Sequence, residues 1–290
     1  MSISGFFQAR FNIFLFRHAP LWFSKRYLRL LGMLYYIVNR DEARQIEENV
    51  RTVFNDPREV RAIVRKTFDG IFDHYTEKLL HAYGNLNRLK REFGDMLEYS
   101  GLEYLEEARR KGGVILVTGH FGAIEYLPMA MNLKQYPVSM VLKFKTEELK
   151  RSLMERAEQN NVELIDAGNA DLIWKQINAL KQGSILLTEC DEVEAWNTRQ
   201  QNTMDAFGGR ILVDRTIAFL ARHTGASVLG AFLMRTERGY RLVIEPVGET
   251  AGDDRDLAQS VMKLFERFVM SAPDQWYQWK KFHKMRPETL

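Results

Sequence analysis

Short apolar runs alternate with stretches of helical spacing from residue 102 to residue 269. The predicted strands are 114–117, 138–142, 162–165, 185–187, 228–233 and 242–246. The predicted helices are 102–110, 122–133, 147–159, 172–181, 215–223 and 254–269. Parallel strands need crossover connections of this kind, usually helices. The sequence therefore predicts an α/β fold, with a mainly parallel sheet flanked by helices.

The first 93 residues differ, because they are predicted to be helical throughout. Residues 1–40 carry six basic and no acidic side chains, interleaved with large apolar ones. The longest clean apolar run, 30–38, is far shorter than the roughly 18–20 residues that span a bilayer. This composition is typical of a helix that lies in a membrane surface, although such a helix can also cover the protein's own core. We expect three parts: a membrane-associating segment (1–40), a helical region packed on the core (41–93), and an α/β core (94–290).

His120 and Glu125 follow the predicted strand 114–117. Open α/β sheets bind ligands at the carboxyl ends of their strands. A neutral imidazole with a carboxylate to orient it can remove a proton from a hydroxyl group. The alternative is a packed histidine, followed by a glutamate that the N-terminal end of a helix favours. The spacing alone leaves both interpretations open.

Other polar groups follow later strands. Asp191, with Glu189 beside it, comes after strand 185–187, so it can converge with His120. Gly208, Gly209 and Arg210 precede the helix 215–223. The two glycines permit a close approach of the backbone to a ligand, and an ordinary tight turn is the alternative.

Other chemistries find little support in the sequence. It contains no Gly-x-Ser-x-Gly nucleophile elbow and no glycine-rich nucleotide loop. The only cysteine, Cys190, excludes a disulfide framework, and the adjacent carboxylate of Asp191 disfavours its thiolate. His74 and His81 share a helical face but lack a third ligand. We therefore expect neither a metal nor a cofactor.

Five segments, in chain order, resemble those of the bacterial lipid A late acyltransferases, the lauroyl and myristoyl transferase family. That family also includes the phosphatidylinositol mannoside acyltransferases. The run 119–125 resembles the family's H-x-x-x-x-[DE] motif. The other segments are 45–54, 181–183 with the strand that leads to Asp191, 207–209 (Phe-Gly-Gly), and 276–287 (WYQWKKFHKMRP).

The resemblance implies a glycerolipid acyltransferase-like fold and O-acyl transfer without a cofactor or metal. The acyl chain would pass from an acyl carrier protein thioester to a hydroxyl group of a glycolipid such as a lipid A precursor. His120 would be the general base, and Glu125 would orient its imidazole. Asp191 matches the family's functional aspartate. Arg156 is the candidate for its functional arginine, with Arg151 as the rival, and Gly208, Gly209 and Arg210 would support substrate binding.

The implied partners are acyl carrier protein, a membrane lipid acceptor and an anionic membrane surface, and not nucleic acid. The implied location is the cytoplasmic face of the inner membrane, as a peripheral or monotopic protein. Two alternatives keep the same fold: an acyl thioesterase, and a non-catalytic lipid-binding protein. Glu189 and Cys190 stand where lipid A enzymes usually carry apolar residues or proline, so the identity of the acceptor lipid stays open.

Overall fold

The computed structural model describes residues 10–19, 21–38, 40–144, 146–192, 203–248 and 254–287. Its strands are β1 Leu97–Ser100, β2 Val114–Thr118, β3 Val138–Leu142, β4 Val162–Asp166, β5 Ile185–Glu189, β6 Thr203–Ala206, β7 Gly209–Leu212, β8 Ser227–Thr236 and β9 Gly239–Pro246. Its helices are α1 Arg10–His18, α2 Leu21–Val38, α3 Arg40–Arg51, α4 Pro57–Tyr83, α5 Leu86–Asp95, α6 Leu102–Lys111, α7 Leu127–Leu133, α8 Glu147–Glu158, α9 Leu172–Lys181, α10 Thr216–Thr224, α11 Asp254–Ser271 and α12 Phe282–Met285. Short 3₁₀ turns occupy Ile124–Tyr126, Pro273–Gln275 and Tyr277–Lys281.

Seven strands form one sheet in the order β1-β9-β8-β2-β5-β3-β4. Every neighbouring pair is parallel except β8 and β9, which form an antiparallel hairpin. The predicted α/β fold with a mainly parallel sheet is therefore confirmed.

Strand β2 lies inside the sheet, between β8 and β5, and all of its residues are buried. Its side chains alternate between two hydrophobic cores, with Ile115 and Val117 on one face and Val114 and Leu116 on the other. Alternation of this kind buries both faces of a strand, as expected for a sheet covered by helices on both sides. Thr118, the last residue of β2, pairs with Glu189, the last residue of β5. The segments that follow the two strands therefore emerge side by side.

The structure differs from the prediction in three places. β1 was not predicted because it is only four residues long and half-buried. The hairpin β6–β7 also escaped prediction, since each of its strands has only four residues. The predicted helix 122–133 begins later, because Gly122 adopts a φ of +57° and Pro128 favours a helix that starts close to it.

The N-terminal helices are only partly covered by the rest of the chain. Ile13, Phe16 and Leu28 are buried in the larger core. On their other faces several large apolar side chains are exposed, namely Phe11, Phe14, Phe23, Leu30, Met33, Leu34 and Ile37. Within the described part of the chain, no helix combines the length and apolar character needed to cross a bilayer. The boundaries at residues 40 and 93 remain predictions.

The long helix α4 is fixed to the sheet by a buried ion pair. The Arg235 Nη2 atom on β8 lies 2.7 Å from Glu77 Oε2 on α4, and both side chains are largely buried. Removal of either residue would leave the other charge buried without a partner, which is costly. The next residue of α4, Lys78, is thereby placed beside the segment that follows β2.

The C-terminal segment from Pro273 onward lies against that same segment. Phe121 forms an isolated antiparallel bridge with Trp276. The main-chain N–H of Gly122 donates to the Gln275 carbonyl at 3.0 Å, and that of Tyr277 donates to the His120 carbonyl at 3.3 Å. The residues after β2 are thus fixed by main-chain hydrogen bonds to a part of the chain more than 150 residues away.

Candidate active site

His120 and Asp191 form a hydrogen-bonded pair at the carboxyl ends of β2 and β5. The His120 Nδ1 atom lies 3.0 Å from Asp191 Oδ1, and the His120 main-chain N–H donates to Asp191 Oδ2 at 2.9 Å. Because a carboxylate accepts, it selects the imidazole tautomer with the proton on Nδ1. The other nitrogen, Nε2, makes no contact with Asp191. The expected convergence of Asp191 with His120 is what the structure shows.

Trp276 completes the environment of Asp191. Its indole Nε1–H donates to Asp191 Oδ2 at 2.8 Å, and its ring is stacked on Phe207 with a centroid distance of 5.3 Å. Burial alone would raise the pKa of Asp191, but the charge of His120 and the hydrogen bonds from His120 and Trp276 lower it below its usual value. Asp191 therefore stays ionised although it is buried.

Two further carboxylates lie near the other nitrogen of His120. Nε2 is 3.5 Å from Glu189 Oε2 and 3.6 Å from Glu192 Oε1, and Lys281 Nζ lies 3.3 Å from the same Glu192 oxygen. Burial lowers the pKa of His120, but the neighbouring carboxylates outweigh it, Glu189 most strongly, and raise this pKa to about 9. Burial also raises the pKa of Glu189, to about 7. In the free protein at neutral pH, His120 is therefore mainly the imidazolium.

The same cluster has the spacing of a cation site. Ligand atoms of His120, Glu189 and Glu192 lie within 4.8 Å of one another. Acidic groups on a protein surface often reach this spacing without an ion. The absence of a metal therefore stays a prediction.

Glu125 does not make the contact expected of it. Its Oε1 atom lies 3.1 Å from Lys78 Nζ and 3.6 Å from His74 Nδ1, both on α4. The left-handed backbone at Gly122 and the 3₁₀ turn that follows direct this carboxylate towards α4. The expectation that Glu125 orients His120 is corrected accordingly, because Asp191 makes that contact.

An apolar pocket of about 550 Å³, including space open to solvent, lies beside Glu125. Residues from β3, β4, α7 and α8 form most of its walls: Pro128, Met129, Met140, Leu142, Leu153, Ala157, Val162 and Leu164. Its polar lining includes Glu125, His81, Lys90 and Arg156. Burial lowers the pKa of His81 to about 4, so this imidazole is neutral.

The two candidate arginines differ in their position relative to the pocket. Arg156 lines the pocket and donates from Nη2 to the Gly84 carbonyl at 2.6 Å. Arg151 is exposed and does not line it. The structure thus brings Arg156 to the same pocket as Glu125, although neither is in hydrogen-bond contact with His120 in the described geometry.

Gly208, Gly209 and Arg210 belong to the turn and second strand of the β6–β7 hairpin. Phe207 and Gly208 form the two-residue turn, with φ of +53° and +67°, the combination of a type I′ turn. Gly208 is exposed and a side chain there would meet nothing, whereas Gly209 lies near Arg286. The contacts of these glycines fit the tight-turn alternative. The residue of this block that reaches the site is Phe207, through Trp276.

Several site residues were not identified from the sequence. Trp276 and Tyr277 lie 85 or more positions from Asp191, and no local pattern predicts contacts over that distance. The density of aromatic residues at 276–282 was the one visible signal. Lys78 was equally hidden, because its helix is amphipathic for reasons of packing, and His74 was considered only as a possible metal ligand.

Comparison with known proteins matches residues 4–284 to the protein family described as bacterial lipid A biosynthesis acyltransferase. Among solved structures, the chain is similar to the crystal structure of the 1-acyl-sn-glycerophosphate (LPA) acyltransferase PlsC from Thermotoga maritima. The identity is 15%, the TM-score is 0.41, and the match covers 87% of this chain and 99% of that one. A likeness this distant carries no argument about function. Comparison with curated proteins gives no significant match.

Proposed function

Because this chain belongs to the family of bacterial lipid A biosynthesis acyltransferases, we propose that it moves a fatty acyl chain from an acyl carrier protein thioester to a hydroxyl group of a membrane glycolipid. The family match confirms the family that the sequence resembles and makes the protein an acyltransferase. The donor, the acceptor and catalysis by His120 are the proposal. The observation that carries it is the His120–Asp191 pair at the end of β2, in which Asp191 holds Nδ1 of the imidazole.

In the proposed reaction, the neutral His120 Nε2 takes the proton of the acceptor hydroxyl group. Asp191 holds the imidazole in place and stabilises the imidazolium that forms, as a buried carboxylate does in hydrolase triads. The acceptor oxygen attacks the thioester carbonyl carbon and forms the new ester bond. The carbon–sulfur bond then breaks, and the imidazolium returns the proton to the departing sulfur.

The protonation state of His120 sets a requirement on this reaction. With a pKa of about 9, only about 1% of His120 is neutral at pH 7. The fraction of active base therefore rises as pH increases towards 9. Any bound substrate that reduces the influence of Glu189 has the same effect at a fixed pH.

The apolar pocket is the proposed site for the acyl chain. Its walls are mainly Leu, Met and Val side chains, and Glu125 lies in its lining within reach of α4. Each methylene group that leaves water contributes roughly 0.8 kcal/mol, so a pocket of this kind favours a long chain. The reacting carbonyl group would then lie between the pocket and His120.

The exposed apolar faces of α1 and α2 support association with the membrane that holds the acceptor. Arg26, Arg29 and Arg40 are exposed on the same N-terminal helices and the start of α3. Each basic residue close to an anionic lipid surface contributes about 1 kcal/mol. We therefore place the protein on the cytoplasmic face of the inner membrane, bound peripherally or inserted in one leaflet. Basic surface also suits an acidic carrier protein.

The test is acyl transfer from radiolabelled acyl carrier protein into total bacterial lipid extract. We expect a labelled lipid with the wild-type protein and a loss of at least 1,000-fold with His120→Ala, because the base is removed. His223→Ala, at an exposed histidine on α10, is the matched control and should retain full activity.

The same assay distinguishes the alternatives. Release of free fatty acid without any labelled lipid would identify a thioesterase. Absence of every His120-dependent product, across donors of several chain lengths, would leave a lipid-binding protein.

A further inference from the structure

Tyr277 has a buried hydroxyl group next to the proposed catalytic pair. Its side chain is 4% exposed, and its hydroxyl oxygen has no hydrogen-bond partner within the described ranges. A buried polar group left in this state destabilises the folded protein. A hydroxyl group that folding leaves without a partner can be satisfied by a substrate.

The ring of Tyr277 is fixed on several sides. It is stacked on His74 with a centroid distance of 4.1 Å, and it meets the His120 ring edge-on at 5.5 Å. Its main-chain N–H donates to the His120 carbonyl, and the preceding residue, Trp276, holds Asp191. The Tyr277 ring is therefore positioned by the same contacts that position the catalytic pair.

Tyr277 also connects the catalytic pair with the apolar pocket. Tyr277 contacts both His120 and His74, and His74 Nδ1 is 3.6 Å from Glu125 Oε1, which lines the pocket. An acyl chain in that pocket would place its thioester carbonyl group in this region.

The protonation state suits a hydrogen-bond donor. Burial raises the pKa of Tyr277 well above its usual value, and the charges of Glu125, Glu189 and Asp191 add to the effect. The hydroxyl group therefore keeps its proton at neutral pH. Lys78, another donor close to Glu125, is already paired with that carboxylate.

We propose that the Tyr277 hydroxyl group donates a hydrogen bond to the carbonyl oxygen of the acyl thioester, the oxygen that becomes negative during transfer. This inference rests on the proposed function. When the acceptor oxygen bonds to the carbonyl carbon, its proton moves to His120 Nε2 and the carbonyl electrons move to the oxygen facing Tyr277. Tyr277 keeps its own proton throughout. Collapse of the intermediate re-forms the carbonyl group, breaks the carbon–sulfur bond and gives the His120 proton to sulfur.

Tyr277→Phe tests the proposal, because it removes the hydroxyl group and keeps the ring. Loss of one donor to an oxyanion lowers kcat by about 100- to 1,000-fold. We expect a loss of that size in kcat, little change in KM and no shift of the pH profile set by His120. The matched control is Tyr36→Phe on α2, which removes another buried hydroxyl group that lacks a partner among the described residues. It should retain wild-type kcat.

A change in the donor substrate gives a second, independent readout. A dithioester donor presents sulfur in place of the carbonyl oxygen, and sulfur accepts hydrogen bonds weakly. The substitution should slow the wild-type protein much more than Tyr277→Phe, giving a coupling between the two changes. The wild-type arm of this comparison does not depend on the folding of any variant.

The outcomes distinguish this proposal from the proposed function on which it rests. Activity of Tyr277→Phe within twofold of wild type, or equal slowing of both proteins by the dithioester, would overturn the role of Tyr277 alone. A wild-type protein that transfers no acyl chain would overturn both proposals.

Discussion

Charged groups are buried at the carboxyl ends of β2 and β5, whereas large apolar groups are exposed on α1 and α2. Asp191 is 5% exposed, while Phe11 and Ile37 are 62% and 63% exposed. Folded proteins usually do the reverse, although single exposed apolar residues are common. On α1 and α2, however, the exposed residues include Phe14, Leu30 and Leu34 as well, and they share two adjacent helices.

The two regions differ in how the cost of buried charge or of exposed apolar surface is offset. Asp191 accepts hydrogen bonds from His120 and Trp276, which offset the cost of removing its charge from water. The apolar faces of α1 and α2 stay largely exposed, although Phe11 and Phe23 pack on Tyr27. We therefore expect a surface outside the protein to cover them. Stability of the fold by itself therefore accounts for the residues of neither region. Under the proposed function, one region would serve the reaction and the other would bind the membrane surface.

Asp191→Asn tests the buried charged region and has the largest expected effect. The amide can present its N–H₂ group to His120 Nδ1 and so favour the tautomer with the proton on Nε2, which cannot act as a base. We expect kcat to fall by about 1,000- to 10,000-fold, as removal of such a carboxylate does in triads. Steady-state transfer kinetics measure the loss, with Asp171→Asn, at an exposed aspartate that immediately precedes α9, as the control. A loss of less than tenfold would mean that Asp191 only supports the fold.

A triple substitution on α2, Leu30→Gln, Leu34→Gln and Ile37→Gln, tests the other region. These side chains are exposed and spaced to lie on one face of the helix. Loss of their burial in lipid should weaken binding to vesicles of anionic phospholipid by at least tenfold, since each buried side chain contributes roughly 1.5 kcal/mol or more. The free energy of unfolding should change by less than about 0.5 kcal/mol per substitution.

Trp174→Gln is the control for vesicle binding, because Trp174 is a highly exposed apolar residue on a different helix, α9. Co-sedimentation with vesicles gives the measurement. Unchanged binding by the triple variant would assign this face to a protein partner.

Glu189→Gln tests the buried charged region through the pH dependence of kcat/KM. Glu189 raises the pKa of His120 by favouring the imidazolium, so its removal lowers that pKa. The ascending limb of kcat/KM, near pH 9 in the wild type, should move to lower pH. A shift of roughly one unit would raise kcat/KM at pH 7 by about tenfold. Glu192→Gln should shift the limb less, because Glu192 contributes less to this pKa and pairs with Lys281. A shift towards higher pH would contradict the assignment.

Much of the sheet was predictable from local patterns. β2 to β5 have apolar runs bounded by turns, and the rule that parallel strands end at one edge predicted that His120 and Asp191 converge. The family followed from motifs read in order. The role of Glu125 was misassigned because the spacing H-x-x-x-x-E assumes a regular helix. At Gly122 the backbone turns into the left-handed region instead, and Glu125 meets Lys78.

The rest of the site depends on contacts between distant parts of the chain. Trp276 packs against Phe207 and holds Asp191, which requires three segments to fold together. Nothing in the run WYQW specifies those partners. Likewise, Tyr277 is recognisable as an unsatisfied donor only when its neighbours are known.

The bridge between Phe121 and Trp276, like the other long-range contacts of the site, affects when activity arises during synthesis. His120 and Asp191 are 71 positions apart, and Asp191 and Trp276 are a further 85 apart, so the site closes two large loops. Contacts of such long range form late, because the entropy of loop closure must be overcome first. A nascent chain that has not yet released its Trp276 segment from the ribosome therefore has no complete site. Recovery of acyl transfer after dilution from denaturant should lag behind recovery of helical circular dichroism, and activity would report the final step of folding.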